Sequence, residues 1–408
     1  MSEKKSNLSR RGFLTTAASG LVSSGLLSLA PDRAFSLQAI PDAEQPEKAI
    51  IKRKLSPNGP EVPIVSMGVL SANNPEMIQA AYEAGIRHFS TSAYYQFGRN
   101  EMAVGNVVNR LKVRDKVVIA TGVSGPGHRR GLTEAGAKNE LIAACEASLE
   151  RLGTDYIDIL YVYEIENPET VGNEGIMEGM RILKQQGKVR YGGISTHTRM
   201  TEIINAAIAG GFYEVVLTAI NFTLADDTAL LNAIKTAAEK GIAIIAMKTL
   251  AYGGRWPNES LLKDFSGTTV VQAALKWVMR NENICTCIPG FMNYDHLRED
   301  FSVAYDLEYT DEEKKFLSDK DVILGIGFCR QCRKCVASCP EGVDLPKLVR
   351  SHVYAAQYGD FQLSRATLDD VSPGAGLDNC RDCMKCQARC AHTVDIARRI
   401  AELKTIYC

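Results

Sequence analysis

The sequence predicts an α/β chain in two parts, a (β/α)8 TIM barrel followed by a small, mainly helical, cysteine-rich module. Two patterns carry that expectation. Eight short β-branched runs alternate with amphipathic stretches between residues 49 and 308, and one cysteine spacing is then written twice, as "CRQCRKCVASCP" at 329–340 and "CRDCMKCQARCA" at 380–391. The 408 residues are 45% apolar and 23% charged, which leaves room for two folded units in a soluble chain. A formal net charge of −1 shows none of the basic excess that nucleic-acid binding requires, so no nucleic-acid partner is expected.

At the N-terminus Lys4 and Lys5 lead to Ser9, Arg10, Arg11, Gly12, Phe13 and Leu14, then to a weakly apolar run from Thr15 to Ala30 rich in Ser, Gly and Ala. That run is too short and too polar for a membrane span, which takes about 20 strongly apolar residues. Residues 1–36 read instead as a removable twin-arginine signal, cleaved after Ala30 or Ser36, which implies export to the periplasm and no transmembrane segment in the mature chain. Residues 37–48, with Pro41 and Pro46 and no periodicity, read as a linker.

The barrel elements follow in order. "EVPIVSMG", "IRHFST", "KVVIATG", "IDILYVYE", "VRYGGIS", "EVVLTAIN", "GIAIIAMK" and "ICTCIPG" are strand-like: short and rich in Val, Ile and Tyr. Stretches such as "PEMIQAAYEAG" and "DTALLNAIKTAAEKG" between them carry the helical apolar period. Eight βα units suit a closed barrel over 49–308, whose active site gathers at the C-terminal ends of the strands; an open doubly wound sheet is the alternative.

The repeated CxxCxxCxxxC is the spacing of bacterial ferredoxins, in which three thiolates on a tight loop take three corners of a 4Fe-4S cube and the fourth completes the other cube. A ferredoxin-like domain over 309–408 with two 4Fe-4S clusters is therefore expected. Cys329, Cys332, Cys335 and Cys390 would hold one cluster, and Cys380, Cys383, Cys386 and Cys339 the other. A structural zinc site would use paired knuckles and have no use for a third cysteine three residues further on. Pro340 follows the first set, whereas Ala391 follows the second. Clusters are assembled where iron, sulfide and reduced thiols are supplied, and twin-arginine export carries folded cargo, so the two ends of the sequence explain each other. Cys145, Cys285 and Cys287 read as buried small residues and Cys408 as a free thiol.

Six segments in order, "IKRKLSPNGPEVPIVSMG", "HFSTSAYYQFGRNE", "DYIDILYVYE", "GKVRYGGIS", "AMKTLAYGG" and "IPGFMNYDHLRED", resemble those of aldo-keto reductases over roughly residues 50–305. The chain is similar in particular to the bacterial branch with a C-terminal ferredoxin-like extension. The resemblance implies a barrel-mouth tetrad of Asp, Tyr, Lys and His, in which Tyr protonates a carbonyl oxygen as hydride arrives. Carried onto this chain, Tyr falls on Tyr95, the Asp position on Ser90, the Lys position on Gly122 and the His position on Tyr163. The nicotinamide positions are altered too, since Thr196 follows Ser195 where the family has Asn, and Thr218 stands where it has Gln. The remaining cofactor-binding candidates are Lys248, Pro289, Gly290 and Glu299, with His296 and Asp300 at positions where Arg and Asn are common.

A phenol with a pKa near 10 needs a neighbouring cation to serve as an acid–base group at neutral pH. His128, Arg129 and Arg130, or Lys248, are the candidates to supply one, with solvated loop charge as the plainer account. Glu164 and Glu166 are placed either to act or to lie on the rim. Arg330, Arg333, Lys334, Arg381, Lys385 and Arg389 surround the cysteines and read as surface charge or as a docking patch for an acidic redox partner. The resulting expectation is an exported iron–sulfur oxidoreductase that passes electrons between a redox partner protein or membrane carrier and a small organic substrate at the barrel mouth. Tyr95 would be the proton donor and NADP a doubtful cofactor. An electron-transfer or assembly module with an inactive barrel, and an NADP-dependent carbonyl reductase, are the alternatives.

Overall fold

The computed structural model describes residues 48–57, 59–70, 72, 74–123, 133–251, 262–380 and 386–408. The twin-arginine stretch, the linker up to residue 47, His128, Arg129, Arg130, Arg381, Cys383 and Lys385 lie outside the described residues.

Strands β1 (Lys52–Lys54) and β2 (Glu61–Pro63) pair antiparallel as a hairpin. Eight parallel strands follow in sequence order around one sheet: β3 (Met67–Gly68), β4 (His88–Ser92), β5 (Val118–Val123), β6 (Ile157–Val162), β7 (Val189–Thr196), β8 (Val215–Ala219), β9 (Ala243–Met247) and β10 (Thr286–Cys287). The sheet closes where the Ser66 N–H donates to the Cys287 carbonyl at 2.8 Å, the Cys287 N–H to Ile64 at 2.9 Å and the Gly68 N–H to Pro289 at 2.9 Å. All eight strand-like segments thus form the barrel, but "EVPIVSMG" is divided. Its first three residues belong to the hairpin and only its end enters the barrel, because Pro63 has no N–H with which to continue a ladder.

Strands β4, β5, β6, β8 and β9 are buried at every position, as expected of parallel strands covered on both faces, and this is why they read as apolar runs without alternation. The helices between them start and stop on local signals. In α1 (Pro75–Ala84) the Asn74 side chain accepts from the Glu76 N–H, Pro75 opens the first turn, and Gly85 ends the helix at φ 116°, which a side chain would resist. Helices α2 (Arg99–Leu111), α3 (Glu134–Leu152), α4 (Pro168–Val171), α5 (Glu174–Gln185), α6 (Met200–Gly210), α7 (Thr228–Glu239), α8 (Gly267–Met279) and α9 (Tyr294–Ser302) complete the outer ring.

Beyond the barrel, α10 (Asp311–Ser318) opens with a capping box between Thr310 and Glu313. Glu313, almost fully buried, also takes the Lys276 ammonium of α8 at 2.8 Å, so one carboxylate both caps α10 and fastens it to the barrel. Helices α11 (Lys320–Ile326), α12 (Leu345–Ala356), α13 (Phe361–Asp369) and α14 (Ile396–Tyr407) follow. Leu345, Leu348, Val349, Ile396, Ile400 and Leu403 form a second, small core against which Cys329, Cys335, Cys339, Cys386 and Cys390 pack. Among the described residues no helix is long and apolar enough to cross a membrane.

Candidate active site and iron-sulfur centre

The C-terminal ends of the barrel strands surround a cavity of about 100 Å³. Ser90 of β4, Tyr95 just past it, Tyr163 after β6, Lys248 after β9 and Pro289 and Gly290 after β10 all line it. The roof comes from the other module: α12 contributes Tyr354, and Tyr358 lies just beyond its end. A barrel mouth that would otherwise open to solvent is therefore walled by two domains.

Within it, the Tyr95 and Tyr163 hydroxyls hydrogen-bond at 2.6 Å. Burial raises both phenols well above the ordinary tyrosine range, so both are protonated at neutral pH. The position corresponding to the family's lysine is filled rather than vacant. A Cβ on Gly122 would lie 2.3 Å from Cδ2 of Tyr163, so the Tyr163 ring occupies the space into which a side chain at 122 would project.

Lys248 supplies the mouth's cation, from φ 55°. Its ammonium donates to the Tyr358 hydroxyl at 3.0 Å and stands 4.8 Å and 4.7 Å from the ring centres of Tyr354 and Tyr358. Burial opposes that charge, but the surrounding tyrosine oxygens outweigh it and hold the pKa above its ordinary value. His197, one residue past β7, is buried with Nδ1 unpartnered; burial, then the Arg350 and Lys248 cations, push its pKa well below the usual histidine range and keep it neutral.

Two sets of expected residues separate here. Tyr95, Lys248, Pro289 and Gly290 converge on the mouth, whereas Glu299 lies on α9, accepts from the Thr268 hydroxyl at 2.9 Å and lines a separate cavity with Asn293, Asp295, His296 and Arg298. Glu164 and Glu166 are anchors for α12: Arg350 reaches Glu164 at 3.1 Å and Glu166 at 3.8 Å, and Lys347 reaches Glu166 at 3.3 Å. Arg330 and Arg333 are likewise engaged internally, with Asp226 at 2.7 Å and Asp344 at 3.0 Å. Sequence reasoning missed His197, Tyr354 and Tyr358. The histidine was readable from "GGISTHT" as a group just beyond a strand end, but the tyrosines sit in a helix that nothing local assigns to the barrel.

Of the nicotinamide positions, the Ser195 and Thr218 hydroxyls are buried without a hydrogen-bond partner, whereas Thr196 is engaged within the protein. The Thr196 hydroxyl lies 2.8 Å and 2.7 Å from the Ile165 and Thr198 carbonyls. The Asn221 amide donates to the Lys248 carbonyl at 3.1 Å and accepts from Thr223 at 2.7 Å. At the N-terminus of α9 the Asn293 side chain already takes the His296 N–H at 2.9 Å.

The cysteines fit an iron–sulfur cluster. Cys329, Cys332, Cys335 and Cys390 line one cavity, so three thiols of the first motif meet the last thiol of the second. The Gln331 side-chain amide donates to Cys329 Sγ at 3.3 Å and the His392 N–H to Cys390 Sγ at 3.2 Å, the kind of donors that stabilise cluster sulfurs. Burial pushes the Cys329 thiol up to about 12 and the Cys335 thiol up to about 11, so this pocket favours neutral thiols unless a cation binds them. The two motifs touch at corresponding positions, where the Arg389 N–H donates to the Ser338 hydroxyl at 2.9 Å, each residue directly preceding its motif's last cysteine. Cys339, Cys380 and Cys386 belong to the same small core, with Cys383 outside the described residues.

A second cavity, of about 50 Å³, joins the two sites. Phe328, Cys329, Gln331 and Arg399 wall it on the module side, and His197, Lys248, Tyr354 and Tyr358 line both it and the mouth.

Barrel, mouth and cysteine pocket together define a (β/α)8 oxidoreductase fused to an iron–sulfur module. Residues 71–321 match the aldo/keto reductase family and residues 328–394 the 4Fe-4S dicluster domain. The chain belongs to the aldo/keto reductase family. It is 26% identical over 269 residues to L-galactose dehydrogenase of Arabidopsis thaliana, covering 60% of this chain and 82% of that protein. It is 27% identical over 247 residues to versiconal hemiacetal acetate reductase of Aspergillus parasiticus, covering 52% and 71%. Among solved structures, an aldo-keto reductase from Bacillus halodurans in its holo form superposes with a TM-score of 0.52 at 20% identity, over 66% of this chain and 95% of that one. One from Klebsiella pneumoniae in complex with NADPH gives 0.52 at 22%, over 66% and 94%. Those two likenesses establish the fold.

Proposed function

We propose that this protein is an exported iron–sulfur oxidoreductase whose barrel mouth binds a small organic substrate and exchanges electrons with the C-terminal module rather than with a nicotinamide. The observation that carries the reading is the shared wall: His197, Lys248, Tyr354 and Tyr358 face the mouth and also the cavity that ends at Cys329. Two 4Fe-4S clusters, one held by Cys329, Cys332, Cys335 and Cys390 and the other by Cys339, Cys380, Cys383 and Cys386, would supply one-electron transfer. The net conversion adds two electrons and two protons to the substrate, or removes them, with a redox partner protein or membrane carrier as the external one-electron donor or acceptor. Tyr95 gives a proton to the substrate oxygen, and Tyr163, hydrogen-bonded to it, holds its orientation. Lys248 stabilises negative charge developing beside it, and Tyr354 and Tyr358 keep bulk water from the mouth. Export follows from Arg10 and Arg11.

Anaerobically purified protein, assayed with aldehydes, ketones and quinones, tests this. Turnover is expected with a reduced one-electron dye and not with NADPH, with about eight irons per chain and a lost share of that iron in Cys339→Ser. NADPH turnover that persists in Cys→Ser variants and disappears in Tyr95→Phe would return the site to hydride chemistry.

A further inference from the structure

The Lys248 ammonium stands at the barrel mouth without a carboxylate partner among the described residues. Its partners are a phenol oxygen and two aromatic faces. Among the described residues three other buried cations are matched by carboxylates, Arg350 by Glu164 and Glu166, Lys347 by Glu166 and Asp370 and Lys276 by Glu313, while Arg399 donates to the Gly327 carbonyl. A cation withdrawn from water without a counter-charge is costly, and a fold retains it where an anion completes the pair. A second group points the same way. His197, 6% exposed, lines the same cavity with an unpartnered Nδ1, and a buried ring nitrogen without a partner is a hydrogen-bonding position left for something else.

The surroundings restrict the anion. Lys248 donates to the Tyr358 oxygen, which leaves the Tyr358 hydroxyl proton to donate onward. Tyr95 and Tyr163 add a hydroxyl pair on the same cavity. Leu217, Met247, Leu250 and Ile288 add apolar wall, with Ser90 and Thr249 as further polar residues. At about 100 Å³, against the ~10–15 Å³ that one water requires, the cavity takes a compact molecule with one charged end.

We propose that the ligand of the barrel mouth is a small carboxylate whose charged end pairs with Lys248 and whose second oxygen is met by His197. This rests on the mouth being the substrate site, as argued above, but it concerns binding alone and stands or falls without any electron transfer. The carboxylate supplies a counter-ion that the described residues do not, and it leaves the far end of the molecule toward the Tyr95–Tyr163 pair. A planar, conjugated acid suits the tyrosine-lined walls.

The test is thermal protection of the full-length, anaerobically purified protein by matched pairs of probes at constant ionic strength: benzoate against benzamide, and acetate against acetamide. The acids are expected to protect at concentrations at least tenfold lower than their amides. That preference should fall below twofold in Lys248→Gln and return in Lys248→Arg. Acids and amides protecting wild type equally would overturn the proposal, and wild type alone decides this if Lys248→Gln does not fold. Undiminished preference in Lys248→Gln would overturn it as well. Inorganic pyrophosphate forms a third arm: protection by pyrophosphate that needs Lys248, with none from the carboxylates, would make this the phosphate site of a dinucleotide and refute the substrate reading.

Discussion

Replacing Gly122 with alanine adds one methyl group, and the structure gives its cost. The new Cβ would lie 2.3 Å from Cδ2 of Tyr163 and 2.9 Å from Cγ and Cε2, so the ring must move. Tyr163 is 6% exposed and packs against Tyr94 and Tyr95, with ring centres 6.1 Å and 6.3 Å away, so the ring has little room. Overpacking of that kind costs about 1–3 kcal/mol. Losing the 2.6 Å hydroxyl contact to Tyr95 adds about 1 kcal/mol. At ~2.1 cal/mol/K per residue over roughly 360 residues, each kcal/mol lowers Tm by about 1.3 °C, so Gly122→Ala is expected to melt about 3–5 °C below wild type. The assay is calorimetry of the cluster-loaded proteins at one scan rate. In a Tyr163→Ala background the same methyl group finds space, and its cost should disappear. A Gly122→Ala protein melting within 1 °C of wild type, or an equal loss in both backgrounds, would refute the account of the filled lysine position.

Three further outcomes follow from particular residues. Glu164→Gln removes the nearer of the two carboxylates that pair with the buried Arg350 guanidinium, leaving Glu166 at 3.8 Å, and is expected to cost about 1–3 kcal/mol, read as faster proteolysis between barrel and module; an unchanged digestion rate contradicts the anchoring role. His88, buried with neither ring nitrogen partnered, has its pKa lowered by burial to about 3, so the unfolded chain takes up a proton below about 6.5 while the folded one does not. Stability is therefore lost as pH falls from 6.5 toward 3, by roughly 2–3 kcal/mol at pH 4.5, and His88→Leu should show a correspondingly shallower fall in Tm over that range. Changing Arg10 and Arg11 together to Lys should leave folded, cluster-loaded protein in the cytoplasm; undiminished export removes the compartment argument.

The barrel was legible because its signals are local. Each strand is a short β-branched run, and helices such as α1 and α7 carry their own caps, Asn74 with Gly85 and Asp227, within the segment. The cysteine grouping could be read for a different reason, since a repeated spacing fixes which thiols share a loop; in the structure Cys329, Cys332, Cys335 and Cys390 line one cavity. The mouth was legible only in part. Tyr95 and Lys248 follow strand ends and could be placed, but the meaning of Gly122 depends on a ring forty-one positions away in sequence, and the roles of Glu164 and Glu166 depend on Arg350 and Lys347 in another module. Contacts of that range leave no periodic trace in the chain.

The lost tetrad and the added module are best understood as one change. Hydride transfer needs a cofactor lying across the barrel mouth, and a phenol tuned by a lysine beside it. Here Tyr163 fills the lysine's space, and Tyr354 and Tyr358 of the module line the mouth. A barrel without the module would expose Lys248 and the apolar part of the cavity wall to water. Together the two modules give a chamber lined by the cation and the hydroxyls, beside a second cavity that reaches Cys329. Three ion pairs fasten α12 to the barrel, Arg350 to Glu164 and Glu166 and Lys347 to Glu166, and Tyr354 of the same helix lines the mouth, so the contacts that hold the two modules together also set the geometry of the site. Activity and domain docking should therefore fail together. A variant such as Glu164→Gln that loosens the module while the barrel stays folded is expected to lose turnover in proportion to its gain in protease sensitivity; full activity in a visibly undocked protein would separate the two and show that the barrel works alone.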